Sequence, residues 1–119
     1  MAEIDIITKN FKEYKEIAEY SFNKEKYNSA VTLYYKALVE LCDIDLLNKL
    51  KVIGANHTER FEMLKTVSPK LFKISSKIFR FYRDSYNKEI SQTVAELVKS
   101  EVQNAEKIVF NNEKDNNMD

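Results

Sequence analysis

The sequence predicts an all-α fold, an up-down bundle of four main helices and one short helix. Apolar residues recur every three or four positions along most of the chain, and no segment alternates as a strand does. Glycine and proline, which mark tight turns, occur only once each. The length of 119 residues fits one domain. We expect that domain at residues 1–110, and a disordered polar tail at residues 111–119.

The first two helices are predicted to form an antiparallel hairpin. The first, Glu3 to Asn23, has an apolar face made of Ile4, Ile7, Phe11, Tyr14, Ile17, Ala18, Ser21 and Phe22. The second follows a short polar turn and runs from Glu25 to about Lys51. Its polar strip contains only Thr32, Lys36, Glu40 and Asp43. A helix that is apolar over most of its circumference is a buried helix, so we expect the others to pack around it.

A short third helix is predicted from His57 to about Thr66. Gly54 precedes it and suits a left-handed stop of the second helix. Asn56 can cap the third helix, with Glu59 three residues later completing a capping box.

The fourth and fifth helices are separated by a break in the pattern at Asn87-Lys88. Ser68 and Pro69 suit the start of a helix that runs to about Tyr86. Ser91 or Thr93 can cap the fifth helix. Its predicted apolar face contains Val94, Leu97, Val98, Val102, Ala105, Ile108 and Val109.

The charge is uneven although the net charge is zero. Residues 46–88 contain ten basic and three acidic residues, and both flanking segments are acidic. The fourth helix carries a basic stripe along the side opposite its apolar face, made of Lys70, Lys73, Lys77 and Arg80. Such a stripe is either a solvated face or a surface for an anionic partner. For the second reading, the candidate anion- or nucleotide-binding residues are Lys73, Lys77, Arg80, Arg83 and Lys88, with His57, Asp84 and Tyr86 as accessory candidates.

Several classes of site are not supported by the sequence. One histidine and one cysteine cannot supply zinc-type ligand spacing, and a single glycine cannot make a phosphate-binding glycine-rich loop. We therefore predict no catalytic residue, no metal and no cofactor. Asp45 lies on the apolar side of the second helix. Either the helix leaves the core there, or Asp45 pairs with a Lys or Arg, or it serves as a site carboxylate.

The expected location is the cytoplasm, without membrane insertion. Cys42 is the only cysteine, which excludes a disulfide within the chain. No run approaches the roughly 18 apolar residues that a membrane span needs. The first residues lack the basic and then apolar pattern of a signal peptide.

Three segments carry a family resemblance. The segment YNSAVTLYYKAL at 27–38 resembles one tetratricopeptide repeat, but no second copy follows about 34 residues later, and a single repeat cannot bury its own face. The same segment is more similar to the first helical hairpin of the HEPN family. The similarity continues through Asn56-His57, with Leu64 following, and through the segment 82–86, YRDSY. It covers most of residues 10–110.

The HEPN resemblance implies a helical bundle, a homodimer and a small nucleotidyltransferase partner, often in a toxin–antitoxin pair. Many HEPN proteins resemble metal-independent ribonucleases with an arginine followed by a histidine after four to six residues. In this chain no histidine follows Arg83, so that motif is incomplete. Lys88 stands near the missing position, but an exposed lysine stays protonated near neutral pH and is a poor base.

Three functions follow as hypotheses. The first is a non-catalytic helical module that binds a nucleotide, a nucleic acid or a protein through the face between Lys70 and Lys88. The second is a HEPN ribonuclease in which Arg83 holds phosphate and His57 comes from a different helix. The third is a purely structural protein-interaction domain.

Overall fold

The hydrophobic second helix lies at the centre of the fold. The computed structural model describes the backbone of residues 3–117 and the side chains of residues 3–111. Its elements are α1 (Glu3–Asn23), α2 (Tyr27–Leu50), α3 (His57–Val67), α4 (Pro69–Asp84) and α5 (Gln92–Asn117). No strand occurs in the described backbone, so the all-α prediction is confirmed.

Helix α2 packs against each of the other four helices. Half of its residues are buried: Ala30, Val31, Tyr34, Tyr35, Ala37, Leu38, Leu41, Cys42, Asp43, Ile44, Asp45 and Leu46. The partners surround α2 because apolar side chains cover most of its circumference, and burying that surface is favourable. The predicted central position of this helix is therefore confirmed.

Helix α1 buries a narrower face than its sequence predicts. Ile7, Phe11, Ala18 and Ser21 are buried, but Ile17 is 46% exposed. The main contacts of α1 are with α2, and a helix that packs mainly against one neighbour covers only a limited part of its circumference. Ile17 lies outside that covered part.

The connection from α2 to α3 differs from the prediction at the helix stop. The left-handed residue is Lys51, with φ of 64°, and its backbone N–H donates to the carbonyl of Leu47 at 3.1 Å. Gly54 does not have positive φ. Glycine is needed there for space, because a Cβ at position 54 would lie 2.7 Å from the Cβ of Arg60. The predicted cap is confirmed: Asn56 Oδ1 accepts from the backbone N–H of Glu59 at 2.9 Å.

The connection from α4 to α5 is held by Asn28, at the start of α2. Its Nδ2 donates to the carbonyls of Ser85 and Lys88 at 3.0 and 2.6 Å. Its Oδ1 accepts from the backbone N–H of Ile90 at 3.0 Å. Ser91, one of the two predicted caps, accepts from the N–H of Val94 at 3.2 Å.

The last helix extends into the segment for which the sequence predicts a disordered tail. Helix α5 continues to Asn117 in the described backbone, and the disordered tail stays a prediction. Residues 118 and 119 lie outside the described residues. The domain boundary at residue 110 stays a prediction.

Candidate functional site

Four predicted site residues, Lys73, Lys77, Arg80 and Arg83, project from the exposed surface of α4 and are called the α4 cations below. All four are exposed. Lys77 Nζ lies 3.6 Å from Glu101 Oε1 of α5. Among the described residues, the other three make no ion pair and no side-chain hydrogen bond. Most of this positive charge therefore faces solvent without an ion-pair partner among the described residues.

The two arginines are supported by aromatic rings. The Cζ of Arg80 lies 4.6 Å from the centroid of Phe81, and that of Arg83 lies 5.4 Å from the centroid of Phe79. A guanidinium over a ring keeps its N–H donors available at its edge. Arg83 forms no ion pair with Asp84 or Asp45, which pair with lysines instead.

Asp84, at the end of α4, and Asp45, beside the start of α4, both pair with lysines. Asp84 pairs with Lys88, with Oδ1 and Nζ 3.3 Å apart, and both are candidate residues. Asp45 pairs with Lys49 at 3.1 Å and accepts a hydrogen bond from Ser68 Oγ. The interpretation of Asp45 as the partner of a lysine is therefore confirmed. Lys88 is tied to the end of α4 by this local pair and does not extend the α4 cations.

His57 lies in a cluster of aromatic rings, the aromatic cluster, with Tyr35, Phe61, Phe79 and Tyr82. Its ring centroid is 5.3 Å from that of Phe79. Arg83 lies over the same Phe79 ring, so the imidazole and the guanidinium are both next to one aromatic side chain. His57 and Arg83 are 26 positions apart in the chain, and packing of α3 against α4 brings them together.

The imidazole of His57 is half-buried, and its Nδ1 has no hydrogen-bond partner among the described residues. Burial lowers the pKa of His57, and the charges of Arg60 and Lys36 lower it further. A lowered pKa favours the neutral imidazole near neutral pH. The ring can then accept a proton or a hydrogen bond, which an imidazolium cannot do.

A cavity of about 320 Å³ opens beside the aromatic cluster. Its walls are made by α1, α2, α4 and the start of α3, through Tyr14, Tyr35, Lys36, Val39, Glu40, Ala55, Asn56, His57, Arg60 and Tyr82. At its edge Tyr82 donates or accepts a 2.8 Å hydrogen bond with Tyr86, which is 67% exposed. The accessory candidates His57 and Tyr86 therefore belong to one continuous aromatic region.

The buried ion pair below this cavity was not predicted from the sequence. Arg60 Nε and Nη2 donate to Asp43 Oδ1 and Oδ2 at 3.0 and 3.2 Å, and Arg60 Nη2 also donates to the carbonyl of Gly54 at 3.1 Å. Asp43 accepts from the N–H of Gly54 at 3.3 Å. The sequence spacing could have indicated the burial of Arg60, because Arg60 is four residues before the buried Leu64 and lies on the same face of α3. The pair fixes the loop that leads to Asn56 and His57.

The described residues contain neither a membrane-spanning helix nor a metal-binding cluster. No helix in that part of the chain is both long enough and apolar enough to cross a membrane. No group of three or more His, Cys, Asp or Glu side chains there is placed to hold a metal ion.

Comparison of the chain with protein-family models, with curated proteins and with solved structures found no match. The HEPN resemblance stays a prediction that depends on the sequence motifs alone.

Proposed function

We propose that this chain is a HEPN-like up-down helical module that binds single-stranded RNA through the α4 cations without cleaving it. One observation carries the proposal. Arg80 and Arg83 lie over Phe81 and Phe79, and neither has a carboxylate partner among the described residues. A guanidinium held in this way presents paired N–H donors whose geometry matches a phosphate.

The aromatic residues next to Arg83 favour RNA over an inorganic anion. Tyr86 is 67% exposed and hydrogen-bonded to Tyr82, so its ring is available for stacking with a base. Proteins that bind single-stranded RNA combine cations that contact phosphates with aromatic rings that stack on unpaired bases. The α4 cations and Tyr86 supply both parts on one helix and the turn after it.

The proposal predicts that binding of RNA depends strongly on salt and on the charge of α4. For single strands, each phosphate contact lowers the logarithm of the affinity by about 0.7 for every tenfold rise in salt concentration. Four contacts therefore give a slope of about −3 in a plot of log affinity against log salt concentration. The double change Lys77→Glu with Arg80→Glu is expected to abolish binding, because it reverses two of the four charges. Fluorescence anisotropy with a labelled single-stranded RNA at several salt concentrations measures both effects.

The matched control is Lys9→Glu with Lys12→Glu. These lysines are exposed on α1, are three positions apart like Lys77 and Arg80, and give the same change in net charge. We expect the control to retain most of the affinity and both double variants to melt close to the unchanged protein. Binding that survives the change on α4 at low salt would refute the proposal.

Metal-independent cleavage of RNA is a second candidate, favoured by the proximity of both His57 and Arg83 to the Phe79 ring. A neutral imidazole can act as a general base and a guanidinium can hold the reacting phosphate. Incubation of RNA in EDTA separates the candidates. Cleavage that is lost in His57→Ala would support this second function, and intact RNA would support binding alone.

The resemblance also supports a homodimer and a nucleotidyltransferase partner, as in a toxin–antitoxin pair. Tyr35, Leu47 and Phe81 lie at the margins of the predicted apolar faces and are the interface candidates that the sequence suggests, but Tyr35 is excluded because it is only 2% exposed. Leu47 and Phe81 are half-buried and remain candidates.

We predict that light scattering at tens of micromolar, a concentration at which weak dimers assemble by mass action, gives twice the chain mass of 14.0 kDa. A mass of one chain would remove the dimer from the proposal.

A further inference from the structure

The cavity beside the aromatic cluster contains two oppositely charged side chains that do not neutralise each other. Lys36 and Glu40 are four positions apart on α2, a spacing at which a lysine and a glutamate can pair. Both line the cavity, and no ion pair joins them. The cavity therefore offers a free cation and a free anion to a ligand.

Glu40 is available to accept hydrogen bonds from a ligand. It is half-buried, and its carboxylate makes no hydrogen bond with the described residues. An ionised carboxylate can only accept, and its two oxygens suit two neighbouring N–H donors. A ligand with two such donors along one edge would therefore match the carboxylate of Glu40.

Aromatic side chains form part of the cavity wall. Tyr35 and Tyr82 stack with their centroids 4.5 Å apart and their planes at 16°, and the imidazole of His57 lies 6.0 Å from each ring. Tyr14 lines the cavity from α1. A volume of about 320 Å³ is near the lower end of the usual range for small-molecule sites, which is suited to a single base with its sugar and phosphate.

We propose that this cavity binds one guanine nucleotide, with Glu40 accepting from the base and Lys36 contacting the phosphate. Guanine presents an N–H and an adjacent NH₂ on its Watson–Crick edge, which match the two oxygens of a carboxylate. Adenine and cytosine place an acceptor next to their amino group, and uracil places acceptors on both sides of its N–H, so each of them opposes the carboxylate with a lone pair. Protein side chains commonly read the unpaired bases of RNA at this edge.

This inference depends on the proposed function, because it assigns a base preference to a protein that binds RNA. The α4 cations contact phosphates and carry no sequence information, whereas the cavity selects the base. An RNA that binds α4 and places one guanosine in the cavity would use both surfaces. The two claims can be tested separately, because one concerns affinity for every sequence and the other concerns the difference between bases.

The first test is calorimetric titration of the full chain with GMP, AMP, CMP and UMP. We expect GMP to bind about 5- to 150-fold more tightly than the other three, the range for one well-formed bidentate contact. Equal affinities for the four nucleotides, or binding of none, would overturn the inference. This test uses the unchanged protein and does not depend on how any variant folds.

The second test changes Glu40 and Lys36 separately. In Glu40→Gln one oxygen becomes an NH₂ that opposes the donors of guanine, so we expect the preference for GMP to fall at least about fivefold. In Lys36→Gln the affinity for all four nucleotides is expected to fall together, with the preference kept. The control is Glu62→Gln, an exposed glutamate of α3 outside the cavity, which should change neither quantity.

The outcomes distinguish this inference from the proposed function. If Lys77→Glu with Arg80→Glu abolishes RNA binding while Glu40→Gln leaves the base preference unchanged, the inference fails and RNA binding by α4 stands. If GMP binds selectively and Glu40→Gln removes the selectivity, but RNA does not bind, the cavity is a site for a free nucleotide and the proposed function fails.

Discussion

Replacement of Asp43 by alanine is expected to lower the free energy of unfolding by about 3–5 kcal/mol, the usual cost of removing one partner from a buried ion pair. Asp43 is 6% and Arg60 is 8% exposed, so the guanidinium would lose its counter-ion where water cannot replace it. The change also leaves the N–H of Gly54 without its acceptor. Urea or thermal melts followed by circular dichroism measure the loss.

The control for this prediction is the exposed pair of Asp84 and Lys88, which has the same charges at a similar distance, 3.3 Å. Asp84→Ala is expected to cost less than about 1 kcal/mol, because water and salt screen a surface pair. Replacing both buried partners, as Asp43→Leu with Arg60→Met, should recover part of the loss, since no charge is then left unpaired. If Asp43→Ala costs no more than Asp84→Ala, the buried pair does not stabilise the fold.

Replacement of Leu38 by alanine is expected to cost about 2–5 kcal/mol. Leu38 is 1% exposed and lies in the middle of α2, the helix that contacts all the others. The loss combines the apolar surface that is no longer buried with the cavity that the surrounding helices cannot close. The same melts provide the measurement.

Leu50 of the same helix supplies the control. It is 39% exposed, so Leu50→Ala removes the same atoms from a position that is already partly hydrated. Its expected cost is within about 0.5 kcal/mol, as for most surface changes. A loss for Leu38→Ala as small as that for Leu50→Ala would mean that α2 does not form the core.

The helices could be predicted from the sequence because each has apolar residues at helical spacing, and because Asn56, Pro69 and Ser91 mark helix starts through local chemistry. The observed α1 has the predicted bounds, Glu3–Asn23. The predicted helix stop at Gly54 was wrong. Glycine is the usual left-handed residue, but here Lys51 adopts that conformation and Gly54 makes room for Arg60. A close approach between two segments leaves no local sequence signal.

The candidate site could be predicted only in part, because contacts between separate segments leave no local sequence signal. The α4 cations lie within a single helix, so their shared exposure follows from spacing along the chain. The cavity requires Lys36 and Glu40 of α2, His57 of α3 and Tyr82 of α4 to meet, and periodicity within each helix does not specify that meeting. From the sequence, Lys36 and Glu40 were simply part of a polar strip.

The side chain of Asn28 also has a consequence for the order in which the chain folds. Its three hydrogen bonds join positions separated by 57, 60 and 62 residues. The hairpin of α1 and α2 needs only contacts between neighbouring segments, which form at a small loss of chain entropy, whereas closing a loop of some sixty residues costs more entropy. We therefore expect the amide of Asn28 to join its partners late in folding, after the hairpin of α1 and α2 has formed.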